Sequence, residues 1–161
     1  VDDLSAEVWI GISGETLKLR ALVRDDVHCQ PESGRQLWKG DGIQFALAFP
    51  GQEGMWELGL ARQDNGKSDA FGWQGPTGFD PEKAARQIRL VTARDRGVTR
   101  YDAEIPLDAL GVKAEATVGG FRFNLLVNEN DGEGRDGWIE IAPGLGSGKN
   151  PARYPALVTI P

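Results

Sequence analysis

LWKGDGIQFALAF, residues 37–49, is the stretch whose reading decides the fold class. From Ile43 onward Ile43, Phe45, Leu47 and Phe49 alternate with Gln44, Ala46 and Ala48. A period of two marks a half-buried β-strand. Gly40, Asp41 and Gly42 supply the turn that precedes it, and Trp38 lies outside the alternation. The same period recurs at 16–24, where Leu17, Leu19, Ala21 and Val23 alternate with Lys18, Arg20, Leu22 and Arg24. It recurs again at 121–128, where Phe121, Phe123, Leu125 and Val127 alternate with Arg122, Asn124, Leu126 and Asn128. Weaker strand patterns occupy 7–12, 56–62, 87–93, 98–105, 137–142 and 156–160. The 22 glycines and 9 prolines are spread between these segments as turn punctuation. Helix signals are short: DPEKAAR at 80–86, with Asp80 as N-cap and Pro81 in the first turn, and a single turn at PLDAL, 106–110. About nine strands without crossover helices imply an all-β fold. The expectation is an antiparallel β-sandwich of jelly-roll or immunoglobulin-like type with one short helical segment; a closed barrel is the alternative.

A chain of 161 residues with 40% hydrophobic and 26% charged residues fits one domain, 1–161, around one core. The formal net charge of −6 argues against nucleic acid or an anionic membrane as the main partner, because both need a basic footprint. There is no apolar run long enough to span a bilayer. Cys29 is the single cysteine, which excludes an intrachain disulfide and a cysteine-built zinc site. No signal peptide precedes VDDLSAEVW, which starts as the run-up to a strand. The expectation is therefore an excised module, tethered to other domains of a larger chain and working outside the cell or in the periplasm.

Candidates for chemistry are few. His28 is the only histidine and nothing beside it in RDDVHCQ completes a triad, so a solvated or capping role is expected. Carboxylates are plentiful, but no spacing singles out the pair that a glycosidase needs. GLGSGKN at 144–150 lacks the hydroxyl residue and the helix of a phosphate loop. NENDGEGRDGW at 128–138 begins like an oxygen-rich calcium loop, with Asn128, Asn130, Asp131 and Asp136 as candidate metal ligands and Glu129 as a further oxygen donor. The competing reading is a long polar hairpin loop.

The five tryptophans separate by context. Trp9 and Trp56 lie in strand patterns and are expected in the core, whereas Trp138 opens a strand. Trp38 and Trp73 lie in the Gly-rich segments LWKGDG and FGWQGPTGF. An exposed indole is a flat, rigid platform suited to stacking on the C–H face of a sugar ring, with Arg, Asn and Gln as natural hydroxyl-binding neighbours. Indoles folded back as lids over the sandwich edge would look the same in sequence.

Six segments in order, DLSAEVWI, LKLRALVRDDVHCQ, LWKGDGIQFALAF, YDAEIPLDALG, FRFNLLVNENDGEGRDGW and PGLGSGKNPARY, resemble the family 9 carbohydrate-binding modules and their relatives with the DOMON-type β-sandwich. The set is carried by the Trp-x-x-Asp-x-x-Gln element at 38–44 and the Tyr-x-x-x-Ile-Pro-x-x-x-Leu-Gly element at 101–111. The resemblance implies a noncatalytic, sugar-binding module in which Trp38 is a stacking platform and Gln44 bonds hydroxyls. It implies one or two strands ahead of the DLSA-like segment, here missing or shifted elsewhere, and structural calcium, with no organic cofactor. The family's second platform falls at Gly148, so the two-tryptophan clamp is incomplete, and Trp73 is the candidate replacement. Arg62 matches a strand arginine of the family. With Asn124 and Trp138, these make up the candidate carbohydrate site. Two other functions stay open: a ligand-free structural or docking sandwich, and a haem-binding electron-transfer domain with Met55 and His28 as its only axial candidates.

Overall fold

The computed structural model describes residues 4–158. Its strands are β1 (Ser5–Ser13), β2 (Thr16–Arg24), β3 (Gly42–Ala48), β4 (Trp56–Arg62), β5 (Ser68–Gln74), β6 (Arg89–Asp95), β7 (Val98–Pro106), β8 (Phe121–Glu129), β9 (Gly137–Glu140) and β10 (Ala156–Leu157). They form two antiparallel sheets. One has the order β1-β2-β7-β6; the other runs β10-β8-β3-β4-β5, with β9 also paired to β8. The sandwich read from the alternation is therefore the observed architecture. The only α-helix among the described residues, α1 (Pro81–Ala85), is capped as expected, with the Asp80 carboxylate accepting from the Glu82 and Lys83 amides.

The core lies between the sheets, where Leu17, Leu19, Ala21 and Val23 of β2 meet Ile43, Phe45 and Leu47 of β3 and Phe123, Leu125 and Val127 of β8. Complete burial of each larger side chain stabilises the fold by about 1.5–3 kcal/mol. Trp56 is fully buried, as expected, but Trp9 is not: it is 49% exposed. Val8, Ile10 and Ile12 pack against the core, so the same period puts Trp9 on the opposite face, across from Arg20.

β3 departs from the half-buried reading, because both of its faces are covered. Residues 141–155 fold back over the outer face of the larger sheet. There Ala46, Met55, Leu126, Leu145 and Tyr154 form a second apolar cluster. The small side chains of β3 make room for this layer. Asn124 clasps it, donating to the Ala142 carbonyl at 2.7 Å and accepting the Ala142 amide at 3.2 Å. Glu140 accepts the Leu145 and Gly146 amides at 3.2 and 3.1 Å. Beside the layer, Gln44 of β3, Glu57 of β4 and Trp73 of β5 line a cleft.

β5 escaped the sequence reading. SDAFGWQ carries no continuous apolar face, and its glycine is dictated by packing: a Cβ on Gly72 would lie 2.1 Å from the Pro81 carbonyl oxygen of α1. At the other end of the chain, only Ala156 and Leu157 of the expected 156–160 strand pair, with Thr159 and Ile160 outside the described residues.

Candidate functional site

The cleft has a volume of about 290 Å³, and Trp38, Gln44, Glu57, Trp73, Arg135 and Lys149 line it with the Leu145–Gly148 turn. Each wall can be traced to local sequence. Trp38 projects from a 3-10 turn, Gly34–Lys39, and is 38% exposed, while Leu37 beside it is buried as the anchor. The fully buried Gln30 ties down both flanks of this turn: its amide donates to the Leu37 carbonyl at 3.0 Å and the Asp41 carbonyl at 2.7 Å. A Cβ on Gly40 would lie 2.4 Å from the Gln30 side-chain oxygen and 2.9 Å from the Cys29 carbonyl, so only glycine fits there. The Asp41 carboxylate accepts the Cys29 amide at 2.6 Å and the Asn130 amide at 2.8 Å. In the Trp-x-x-Asp-x-x-Gln element, then, the aspartate is the clip that presents the tryptophan, and the glutamine reaches the floor.

Trp73 lies on β5 rather than in a loop. The β4–β5 pairing shifts register between Glu57 and Leu58, leaving Trp73 as the extra residue. Such a bulge re-aims a side chain. The indole lies over Gly59, its N–H donates to the Arg35 carbonyl at 3.0 Å, and Phe71 meets it edge to face at 5.6 Å. Trp38 and Trp73 thus line one cleft, fixed to the same 3-10 turn.

The floor is polar. Asn128 donates to the Gln44 oxygen at 3.2 Å, and Gln44 donates in turn to Glu57 at 3.5 Å. Lys149 closes the row by an ion pair with the buried Glu57. The Asn128 side-chain oxygen is buried with no hydrogen-bond partner.

Arg135 forms the remaining wall. Its guanidinium carbon lies 4.4 Å from the Trp138 ring centroid and 5.9 Å from that of Trp38. Its Nε is buried and unbonded, and burial lowers its pKa from the ordinary arginine value. Trp138, 39% exposed, stands behind Arg135 and against Gly146, where a Cβ would lie 2.1 Å from the indole nitrogen. Gly148 has φ +84° and open space around it, so the position matched to the family's second platform is vacant rim.

Of the candidate sugar-binding residues, the fold brings Trp38, Gln44 and Trp73 to one cleft, with Trp138 behind its wall. Asn124 shares the face but is fully buried under the covering layer. Arg62 is directed away, bonding the Gln63 carbonyl at 3.4 Å beside the 63–67 turn. Glu57, Arg135 and Lys149 were missed. Glu57 has the same outward phase as Gln44, which was a usable signal. Lys149 belongs to GLGSGKN, whose glycines form the rim instead of a phosphate loop.

The oxygen-rich loop is arranged differently from a calcium loop of alternate inward ligands. Asn128 is buried beneath the cleft, donating to Gln44. The Asn130 oxygen caps the Gly132 and Gly134 amides at 2.8 and 3.1 Å, and Asp136 accepts the Asp131 amide at 3.2 Å. Asp131 instead joins Asp25 and Asp26, with carboxylate oxygens within 4.8 Å of one another. A second group, Asp25, His28 and Asp41, meets the same 4.8 Å limit. His28 is accordingly a packed residue rather than a solvated one: Nε2 bonds the Arg62 carbonyl at 2.8 Å and Nδ1 lies 3.5 Å from Asp41. Burial pushes the Asp41 carboxyl up to about 7, against its two amide donors, and pulls the His28 imidazole down.

No protein-family model and no curated protein sequence matches the chain. Among solved structures, a family 9 carbohydrate-binding module from Caldicellulosiruptor kristjanssonii in complex with glucose superposes with a TM-score of 0.71 at 17% identity, over 99% of this chain and 78% of that one. The cellotriose complex of a family 9 module from the same organism gives 0.70 at 17% identity, over 100% and 78%. A protein from Bacteroides uniformis to which carbohydrate binding is provisionally ascribed gives 0.70 at 12% identity, over 98% and 79%. The fold is that of the family 9 carbohydrate-binding modules.

Proposed function

We propose that this domain is a carbohydrate-binding module that holds sugar rings without turning them over. The observation that carries the reading is the convergence of Trp38 and Trp73 on one cleft with a hydrogen-bonding floor of Gln44, Glu57 and Lys149. Covering ~100 Å² of indole at about 25 cal/mol per Å² gives roughly 2.5 kcal/mol gross per platform. After the costs of association, two such faces with hydroxyl contacts correspond to affinities of about micromolar to millimolar. Glu57, the one carboxylate among the described residues of the cleft, is ion-paired with Lys149, which suits hydroxyl recognition better than proton transfer.

The exposure of Trp38 favours this reading over a ligand-free spacer, in which the indole would serve as a lid. The haem reading finds less support, because the Met55 sulfur is buried beneath the Tyr154 hydroxyl, 3.3 Å away. Attachment to a larger chain and a place outside the cell belong to the proposal. Among the described residues no helix is long and apolar enough to cross a membrane. Structural calcium belongs to it too. The clustered oxygens of Asp25, Asp26 and Asp131 suit a hard divalent cation, and burial raises the Asp25 pKa, a cost that a cation would offset.

The test is tryptophan fluorescence titration over mono-, oligo- and polysaccharides. Saturable quenching by one sugar class supports the proposal, and a flat response to the whole panel refutes it.

A further inference from the structure

We infer that the sugar this cleft prefers is anionic, a uronate whose ring carboxylate is taken by Arg135. The inference rests on the carbohydrate-binding reading and specifies its ligand class. Charge is the first argument. The described residues of the cleft carry one carboxylate, Glu57, and two cations, Lys149 and Arg135, in a chain whose formal net charge is −6. Glu57 and Lys149 neutralise each other. Among the described residues no carboxylate lies within ion-pair distance of Arg135, so the net positive charge of the cleft belongs to this one guanidinium.

Position is the second argument. Arg62 and Arg94, the other half-buried arginines, also lack a carboxylate partner, but each donates to a protein oxygen; the Arg135 guanidinium makes no such bond among the described residues. Arg135 is held half-buried over two indole rings, at 4.4 and 5.9 Å from their centroids, with its Nε sealed off and unbonded. Stacking on aromatic faces fixes the plane of the guanidinium and excludes water without supplying a negative charge. Burial accordingly disfavours its charged form. A planar fork held in this way matches a carboxylate, which it can bind through two parallel N–H bonds. A neutral hydroxyl offers neither the charge nor the second oxygen. Trp38, shared between the cleft and the arginine, would place the ring beside the fork.

The experiment compares sugars that differ only at C6. Glucuronate, its methyl ester and glucose, with galacturonate, its methyl ester and galactose, are titrated by calorimetry at low and high salt. Glucose 6-sulfate serves as a tetrahedral anion. The inference predicts at least about tenfold tighter binding of one uronate than of its ester and its neutral parent, the range expected of a hydrogen bond to a charged group. The preference should shrink with salt and exceed that for the sulfate. In Arg135→Gln the uronate-to-neutral ratio should fall to within about twofold, and Arg135→Lys should keep an intermediate ratio. The ester comparison needs no variant, so it stands even if Arg135→Gln folds poorly. Neutral sugars bound as tightly as uronates would overturn the inference and leave the carbohydrate-binding reading intact. A sulfate preference, or a uronate preference unchanged in a folded Arg135→Gln, would also overturn it. Binding of no sugar at all would overturn both.

Discussion

Gly59→Ala should expel Trp73 from its seat. A Cβ on Gly59 would stand 2.3 Å from Cη2 and 2.5 Å from Cζ3 of the indole, while the nearest other atom, the Ile43 carbonyl oxygen, is at a comfortable 3.6 Å. The indole must therefore move by about 1 Å to regain ordinary contact. Its N–H bond to the Arg35 carbonyl is 3.0 Å long and tolerates only about half that motion before it ceases to be a hydrogen bond. Overpacking costs about 1–3 kcal/mol and the lost bond about 1 kcal/mol. Against this, alanine recovers about 0.5–1 kcal/mol of glycine's backbone entropy. The net loss should be about 1–3 kcal/mol, a fall of roughly 3–10 °C in melting temperature for a domain of this size. The assay is a double-mutant cycle with Trp73→Ala, read by thermal and urea unfolding. In the Trp73→Ala background the same substitution should be neutral or stabilising. An equal cost in both backgrounds would refute the packing argument. Saccharide titration of Gly59→Ala adds a second readout, since a displaced platform should weaken binding in a folded protein.

Asp41 and His28 give opposing pH dependences. The folded-state pKa of Asp41 is raised to about 7, so between about pH 4 and 7 the native state keeps a proton that the unfolded chain releases, and its contribution falls as pH rises. His28 is lowered below 6.5, so its contribution is lost as pH falls through that value. Asp25, also raised, has the sign of Asp41, and Arg94 faces both aspartates. Asp41→Asn should therefore make the slope of stability against pH more positive than in the wild type; an unchanged slope would refute the assignment. Calcium should raise the melting temperature and chelation lower it, with the difference abolished in Asp131→Asn; an identical response in that variant would remove Asp131 from any calcium site.

The two sheets were legible because the inward phase of β2, β3 and β8 is apolar at every step, even though Leu22, Ala46, Ala48 and Leu126 interrupt the polar phase. β5 was not, because its glycine answers to α1 and its tryptophan to the cleft, neither of which leaves a periodic trace. The covering layer was hidden for a similar reason: Ala46 reads as a modest outward residue until Leu145 and Tyr154 are placed on it. Period alone could have put Trp9 outside, since it is out of phase with Val8, Ile10 and Ile12. In the cleft, Trp38 and Gln44 share a short element and could be paired from sequence. Glu57 and Lys149, 92 residues apart, could not. Arg135 was masked by its surroundings, a polar loop whose oxygens suggested a metal and whose one arginine instead stacks on indoles.

The most direct test of the central claim compares Trp38→Ala with the wild type for saccharide affinity at matched stability. Because Trp38 is exposed and its turn is held by Gln30 and Asp41, truncation should change stability by less than about 1 kcal/mol. Binding of whichever sugar the wild type takes should weaken at least about tenfold, in keeping with the roughly 2.5 kcal/mol gross of a stacked face. Unchanged affinity in a variant of unchanged melting temperature would contradict the account, because the sugar would then be bound somewhere other than this cleft.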